Sequence, residues 1–117
     1  MNKHLKDSLS SIFKPRSVAI VGASNNPIRW GYHTLRNMIE AGFRHHLYPV
    51  HPREKEVQGL PSYPDISRIP ANVDLAVIVV NTTQVADVIA QCIDKKVKGG
   101  IVITAGFAET GEKGARL

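Results

Sequence analysis

From Ser17 to Met38 the chain reads Ser-Val-Ala-Ile-Val-Gly-Ala-Ser-Asn-Asn-Pro-Ile-Arg-Trp-Gly-Tyr-His-Thr-Leu-Arg-Asn-Met, and this stretch constrains the fold most. Val18 to Val21 form a short, wholly apolar, β-branched run closed by Gly22, the pattern of a strand buried on both faces of a parallel sheet. Ala23 to Arg29 is a loop of small and polar residues containing Pro27. From Gly31 onward, Leu35, Met38 and Ile39 fall at helical spacing. A strand, a small-residue loop and a helix in this order aim free backbone N–H groups and a positive helix end at one point, where a phosphate is the best guest. The stretch therefore reads as a nucleotide site, with a plain strand-to-helix turn as the alternative. It is not the dinucleotide fingerprint Gly-x-Gly-x-x-Gly, because Gly22 is followed by no glycine until Gly31.

The 117 residues suffice for one domain with a core and are too few for two. Fifteen Lys and Arg against ten Asp and Glu give a formal charge of +5, spread along the chain, which suits an anionic small partner without requiring nucleic acid. The single cysteine, Cys92, excludes an internal disulfide and sits between Ile89 and Ile93 as a core residue rather than a nucleophile. No apolar run approaches the length of a membrane span, and the N-terminus lacks the apolar core of a secretion signal, so a cytoplasmic protein is expected.

Leu5, Leu9, Ile12 and Phe13 recur at helical spacing and predict a short amphipathic helix within residues 1–14, ahead of a core over 15–117. Gly42 marks the end of the helix that begins near Gly31. A second strand, His46 to Val50, runs into His51-Pro52-Arg53-Glu54-Lys55. An NAD site usually carries an acid here for the ribose 2′-hydroxyl, whereas a phosphorylated ribose wants cations. His51, Arg53 and Lys55 thus argue against NAD and for NADP or coenzyme A, the alternative being a merely polar loop. Gly59 to Tyr63 reads as a very short strand, with Pro61 confining it to a sheet edge. Tyr63 to Ser67 reads as a helical turn opened by Pro64.

Leu75 to Val80 is another apolar strand. The following helix has Val85, Val88, Ile89 and Ile93 as its apolar face, Thr82 or Thr83 as its cap, and Lys95, Lys96 and Lys98 at its C-terminal end, where cations complement the dipole. Ile101 to Thr104 is the last strand. Apolar strands alternating with helices predict an α/β fold, a doubly wound parallel sheet with right-handed crossovers. The ligand of such a sheet lies across the carboxyl ends of the strands, where the order reverses. The loops leaving those ends, Gly22 to Gly31, Asn81 to Thr83 and Thr104 to Gly106, are small or hydroxylated, and none supplies an obvious acid, base or nucleophile. No metal-ligand cluster is visible either, since the adjacent His45 and His46 would face opposite ways on a strand.

The segments Ile12-Phe13-Lys14-Pro15-Arg16-Ser17-Val18-Ala19-Ile20-Val21-Gly22-Ala23-Ser24, with Pro27 and Gly31, Tyr48-Pro49-Val50-His51-Pro52, Gly59-Leu60-Pro61-Ser62-Tyr63, Asp74-Leu75-Ala76-Val77-Ile78 and Ala105-Gly106-Phe107-Ala108-Glu109 together form a pattern. In that order, and over nearly the whole chain, they resemble the N-terminal coenzyme A-binding domain of the NDP-forming acyl-CoA synthetases. This family includes ADP-forming acetate-CoA ligase and is related to the succinyl-CoA synthetase alpha subunit. The resemblance implies a Rossmann-like domain in which Gly22, Ala23, Ser24, Asn25 and Gly31 lie near the coenzyme A diphosphate. It places Pro52 and the basic residues after it near the adenosine end, and Asn81, Thr104, Ala105 and Gly106 along the cofactor's path. His51 stands where family members commonly have Asn.

The family's phosphohistidine and ATP-grasp regions lie beyond this domain, and the sequence stops at Leu117 within what should be the next helix. His33, His45, His46 and His51 therefore do not inherit the phosphohistidine role. The resemblance implies a piece of a ligase that positions coenzyme A for acyl transfer, partnered by downstream ligase and ATP-grasp domains or a subunit, with no turnover of its own. Two other classes stay open. One is a ligand-sensing module of an acetyltransferase fusion or a regulator, and the other is an NADP-dependent oxidoreductase domain.

Overall fold

β1 (Val18–Val21) is the strand around which the rest is laid. In the computed structural model, which describes residues 16–103, β2 (Leu47–Val50) pairs with one edge of β1 and β5 (Leu75–Ile78) with the other, both parallel. β6 (Gly99–Val102) pairs with the far edge of β5, giving the order β2-β1-β5-β6. The chain leaves β1 in one direction and returns on its other side, so the order reverses between β1 and β5. The expected doubly wound parallel sheet is what forms.

The alternation of side chains along each strand divides the core in two. Val18 and Ile20 of β1, with Leu75 and Val77 of β5, face helix α1 (Trp30–Met38) and bury Leu35. Ala19, Val21, Ala76 and Ile78 face the other way and bury Val88 of helix α2 (Thr82–Lys95), Ile66 and Ile69. Both faces are covered, which is why β1 and β5 read as unbroken apolar runs. Full burial of each Val or Ile contributes roughly 1.5–3 kcal/mol.

Several boundaries differ from the sequence reading. α1 widens into a π-type turn, Ile39–Phe43, in which Gly42 takes φ +97, so the glycine stop operates inside a bend. A 3-10 turn then covers Arg44–His46, and β2 begins only at Leu47. Pro49 fits β2 because that strand lies at the edge of the four-stranded sheet, where a missing N–H is tolerated. The single short strand expected at Gly59 to Tyr63 is instead half of a hairpin, β3 (Glu56–Val57) and β4 (Leu60–Pro61), paired antiparallel through the two-residue turn Gln58-Gly59. Beyond it, Tyr63 makes an isolated parallel bridge to Val50, and Ile66–Arg68 is the expected helical turn in 3-10 form.

The apolar face drawn for α2 is only partly inside. Val88 is buried, but Ile89 is exposed and Ile93 is 69% exposed, so the helix packs through a narrower stripe than its composition suggests. Cys92 packs against the second core cluster, and burial pushes its thiol up from the ordinary value. Neither Thr82 nor Thr83 caps α2; the cap position is Asn81, and its side chain makes no capping bond. Of the three lysines at the far end, Lys95 donates to the Ile69 carbonyl, Lys96 is the left-handed terminating residue, and Lys98 lies 3.5 Å from the Asp74 carboxylate. Asp74 also accepts the Arg16 N–H at 2.8 Å, tying the entry of β1 to the entry of β5. β6 is half-exposed at Ile101 and Val102 rather than buried on both sides. The helix expected within residues 1–14 and the segment Thr104, Ala105 and Gly106 lie outside the described residues.

Candidate functional site

Three segments leave the carboxyl ends of β1, β2 and β5 and border one cleft of about 750 Å³. This lies in the range of small-molecule sites, at the position a doubly wound sheet reserves for its ligand. Gly22, Ala23, Ser24 and Asn26 form the wall that follows β1, His51, Pro52 and Arg53 the wall after β2, and Val79, Val80 and Asn81 the wall after β5.

The β1 wall is tight. Gly22 has φ +93, and a Cβ built on it would lie 1.9 Å from the Val79 carbonyl oxygen; one built on Gly31 would lie 1.8 Å from the Gly22 carbonyl oxygen. The start of α1 thus rests on the backbone at the end of β1, with no room for a side chain between them. Within the loop, Ser24 Oγ accepts the Asn26 N–H at 2.9 Å and Asn26 Oδ1 accepts the Ile28 N–H at 3.0 Å, two local side-chain turns that hold the chain curled. Among the described residues, the N–H groups of Ala23, Ser24 and Asn25 have no acceptor. Both helices begin at the cleft, and neither carries a side-chain cap at its N-terminus. Ala23 and Ser24, each with a free N–H, and two positive helix ends border one cavity, an arrangement that suits an anion.

The β2 wall is less simply cationic than its sequence. His51 Nδ1 accepts the N–H of Arg53 at 3.0 Å and that of Glu54 at 2.9 Å, so the imidazole serves as a turn acceptor and carries its ring proton on Nε2. Arg53 borders the cleft, and Lys55 does not. The side chain of Asn25 also turns away: Nδ2 donates to the Glu56 carbonyl at 3.0 Å, and Oδ1 accepts the Gln58 N–H at 2.8 Å. Of the residues singled out from sequence, Gly22, Ala23, Ser24, Gly31, His51, Pro52, Arg53 and Asn81 come together at the cleft, whereas Asn25 and Lys55 stand outside its lining.

The sequence reading missed three parts of the lining, the first being Pro64 and Asp65 ahead of the 3-10 turn Ile66–Arg68. Ile28, Arg29 and Trp30 form a rim ahead of α1, with Ile28 86% exposed and Trp30 about half exposed. Gln84, Asp87, Val88 and Gln91 present one face of α2 to the cleft. Their spacing of three, four and seven residues from Gln84 puts them on one helix stripe, and that polar periodicity was the available signal. Among the described residues, no three His, Cys, Asp or Glu side chains are grouped to hold a metal ion, and no helix is long and apolar enough to cross a membrane.

Comparison with known proteins places this geometry in a family. The chain is 47% identical over 109 residues to the ADP-forming acetate-CoA ligase II subunit alpha of Pyrococcus furiosus, an alignment covering 92% of this chain and 23% of that protein. It therefore spans about a quarter of the length of that relative. A solved acetyl-coenzyme A synthetase 1 of Ca. Korarchaeum cryptofilum, described as dinucleotide forming and in complex with phosphate and ADP, superposes with a TM-score of 0.81 at 40% identity, over 94% of this chain and 24% of that one. A conserved hypothetical protein from Pyrococcus furiosus superposes with a TM-score of 0.69 at 28% identity, over 86% of this chain and 88% of that one. The family model described as a CoA binding domain matches residues 16–116, and the chain belongs to that family.

Proposed function

We propose that this chain holds coenzyme A in the cleft at the ends of β1, β2 and β5 and presents it to the acyl-transfer machinery of an ADP-forming acyl-CoA synthetase. The observation that carries the reading is the β1 wall, where uncommitted N–H groups and the Gly22–Gly31 contact leave backbone, rather than side chain, facing the cavity. Such a surface fits a diphosphate, and the volume accommodates a nucleotide. Arg53 and Arg29 border the same cavity and suit an adenosine carrying an extra phosphate, and the half-exposed indole of Trp30 offers a flat face to a purine.

When bound, coenzyme A supplies the thiol that accepts an acyl group. The residues of this chain bind and orient it: the loop from Gly22 to Asn26 takes the diphosphate, while Asn81 and the α2 face that starts at Gln84 line the remaining path. Thr104, Ala105 and Gly106 complete the proposed set, and the acyl-phosphate chemistry belongs to further domains or a subunit.

Thermal unfolding with and without ligand tests the assignment. Coenzyme A is expected to raise the midpoint and NADH to leave it unchanged, since the residues that leave β2 and border the cleft, His51, Pro52 and Arg53, include no acid to take a ribose 2′-hydroxyl. Stabilisation by NADH equal to that by coenzyme A would refute it. Synthesis of acetyl-CoA by this chain alone from acetate, ATP and coenzyme A would refute the division of labour.

A further inference from the structure

Gln58 is conformationally out of place. It and Gly59 form the two-residue turn between β3 and β4, and both have positive φ, +51 and +83. Such turns favour Asn or Gly at the first position, since a longer side chain is strained there without local compensation. An outlier of this kind is kept when something else requires the residue.

What Gln58 does is reach across to the β1 wall. Its Nε2 donates to the Ser24 carbonyl at 3.2 Å and to the Tyr32 carbonyl, in the first turn of α1, at 3.0 Å. Its Oε1 is buried and has no partner among the described residues, an unfavourable arrangement that the two donated bonds must offset. The brace is reciprocal, because Asn25 holds the hairpin backbone at the Glu56 carbonyl and the Gln58 N–H. One amide side chain of the loop thus grips the hairpin, and one of the hairpin grips the loop.

The hairpin Glu56 to Pro61 does not border the cleft, so this grip acts from behind the loop. In a trans peptide the carbonyl and the following N–H point in opposite directions. Fixing the Ser24 carbonyl toward the hairpin therefore turns the Asn25 N–H away from it. We infer that Gln58 is a positioning residue for the diphosphate loop, setting the Ser24–Asn25 peptide and the start of α1 in one orientation for the ligand. This rests on the coenzyme A reading above.

Two substitutions separate the brace from the turn. Gln58→Asn and Gln58→Gly both tolerate positive φ, and neither reaches the Ser24 and Tyr32 carbonyls. Coenzyme A binding to wild type is measured first by calorimetry; no binding there would overturn the coenzyme A reading and this inference with it. Given wild-type binding, both variants are expected to melt cooperatively and to bind coenzyme A about tenfold more weakly, a change of about 1.4 kcal/mol. Adenosine 3′-monophosphate, which has no diphosphate, should bind wild type and variants alike, whereas a general loss of structure would weaken both ligands. Unchanged coenzyme A affinity in a folded variant, equal weakening of both ligands, or loss of the melting transition would overturn the positioning role while leaving the coenzyme A reading in place.

Discussion

Gly31 lies so close to Gly22 that a methyl group on the first would sit 1.8 Å from the carbonyl oxygen of the second. The oxygen belongs to backbone at the end of β1, pinned on either side by the Gly22 N–H to Val50 and the Val79 N–H to Val21. It has nowhere to retreat. Gly31→Ala is therefore expected to push α1 off the sheet and destabilise the domain by about 1–3 kcal/mol, the range for overpacking a tight contact. Urea denaturation checks this. A variant within about 0.5 kcal/mol of wild type would show that the helix start can slide.

The curled loop gives a ranked prediction. Ser24→Glu places a carboxylate where anionic oxygens are proposed to sit, and a close like-charge contact near a protein surface is worth up to about 4 kcal/mol at an effective dielectric near 20. A quarter of that, about 1 kcal/mol, already weakens coenzyme A about fivefold. Because Ser24 Oγ also accepts the Asn26 N–H, Ser24→Ala serves as the control for the lost turn bond. Arg53→Ala should do less than Ser24→Glu, since Arg53 is exposed and screened by salt. Calorimetry giving the reverse order would show that the β2 wall, not the β1 loop, dominates binding.

His51 makes a different prediction, because its Nδ1 is occupied with two backbone N–H groups. An asparagine side chain accepts from the N–H two residues on, which here is Arg53, so His51→Asn should keep the turn and the affinity for coenzyme A. His51→Leu removes the acceptor and should cost about 1 kcal/mol of stability along with weaker binding. Equal behaviour of the two variants in a melting and binding comparison would mean that the turn does not depend on this acceptor.

The central sheet and the position of the cleft were legible in the sequence because β1 and β5 lie inside it and are covered on both faces, so nothing interrupts their apolar runs. The hairpin was not. Glu56-Val57 and Leu60-Pro61 are two residues each, too short for alternation to register, and Gln58-Gly59 is a weaker turn signal than Asn-Gly. The cations after β2 were visible as residue types, but only the fold shows that His51 faces its own backbone and that Lys55 stands off the cleft. Likewise, the family resemblance set Asn25 near the diphosphate, whereas its side chain is taken up by the hairpin.

The inner position of β1 has a dynamic consequence. Amides held between two neighbouring strands exchange with solvent mainly through global opening, while those of the adjoining loop exchange by local motion. A ligand seated on the loop after β1 would then be felt in the strand itself: at a hundred times its Kd it adds about 2.7 kcal/mol and slows global exchange about a hundredfold. The protons of Ala19 and Ile20, which do not line the cleft, become a gauge of its occupancy. Every bound molecule thereby tightens the whole domain and not only the loop it touches.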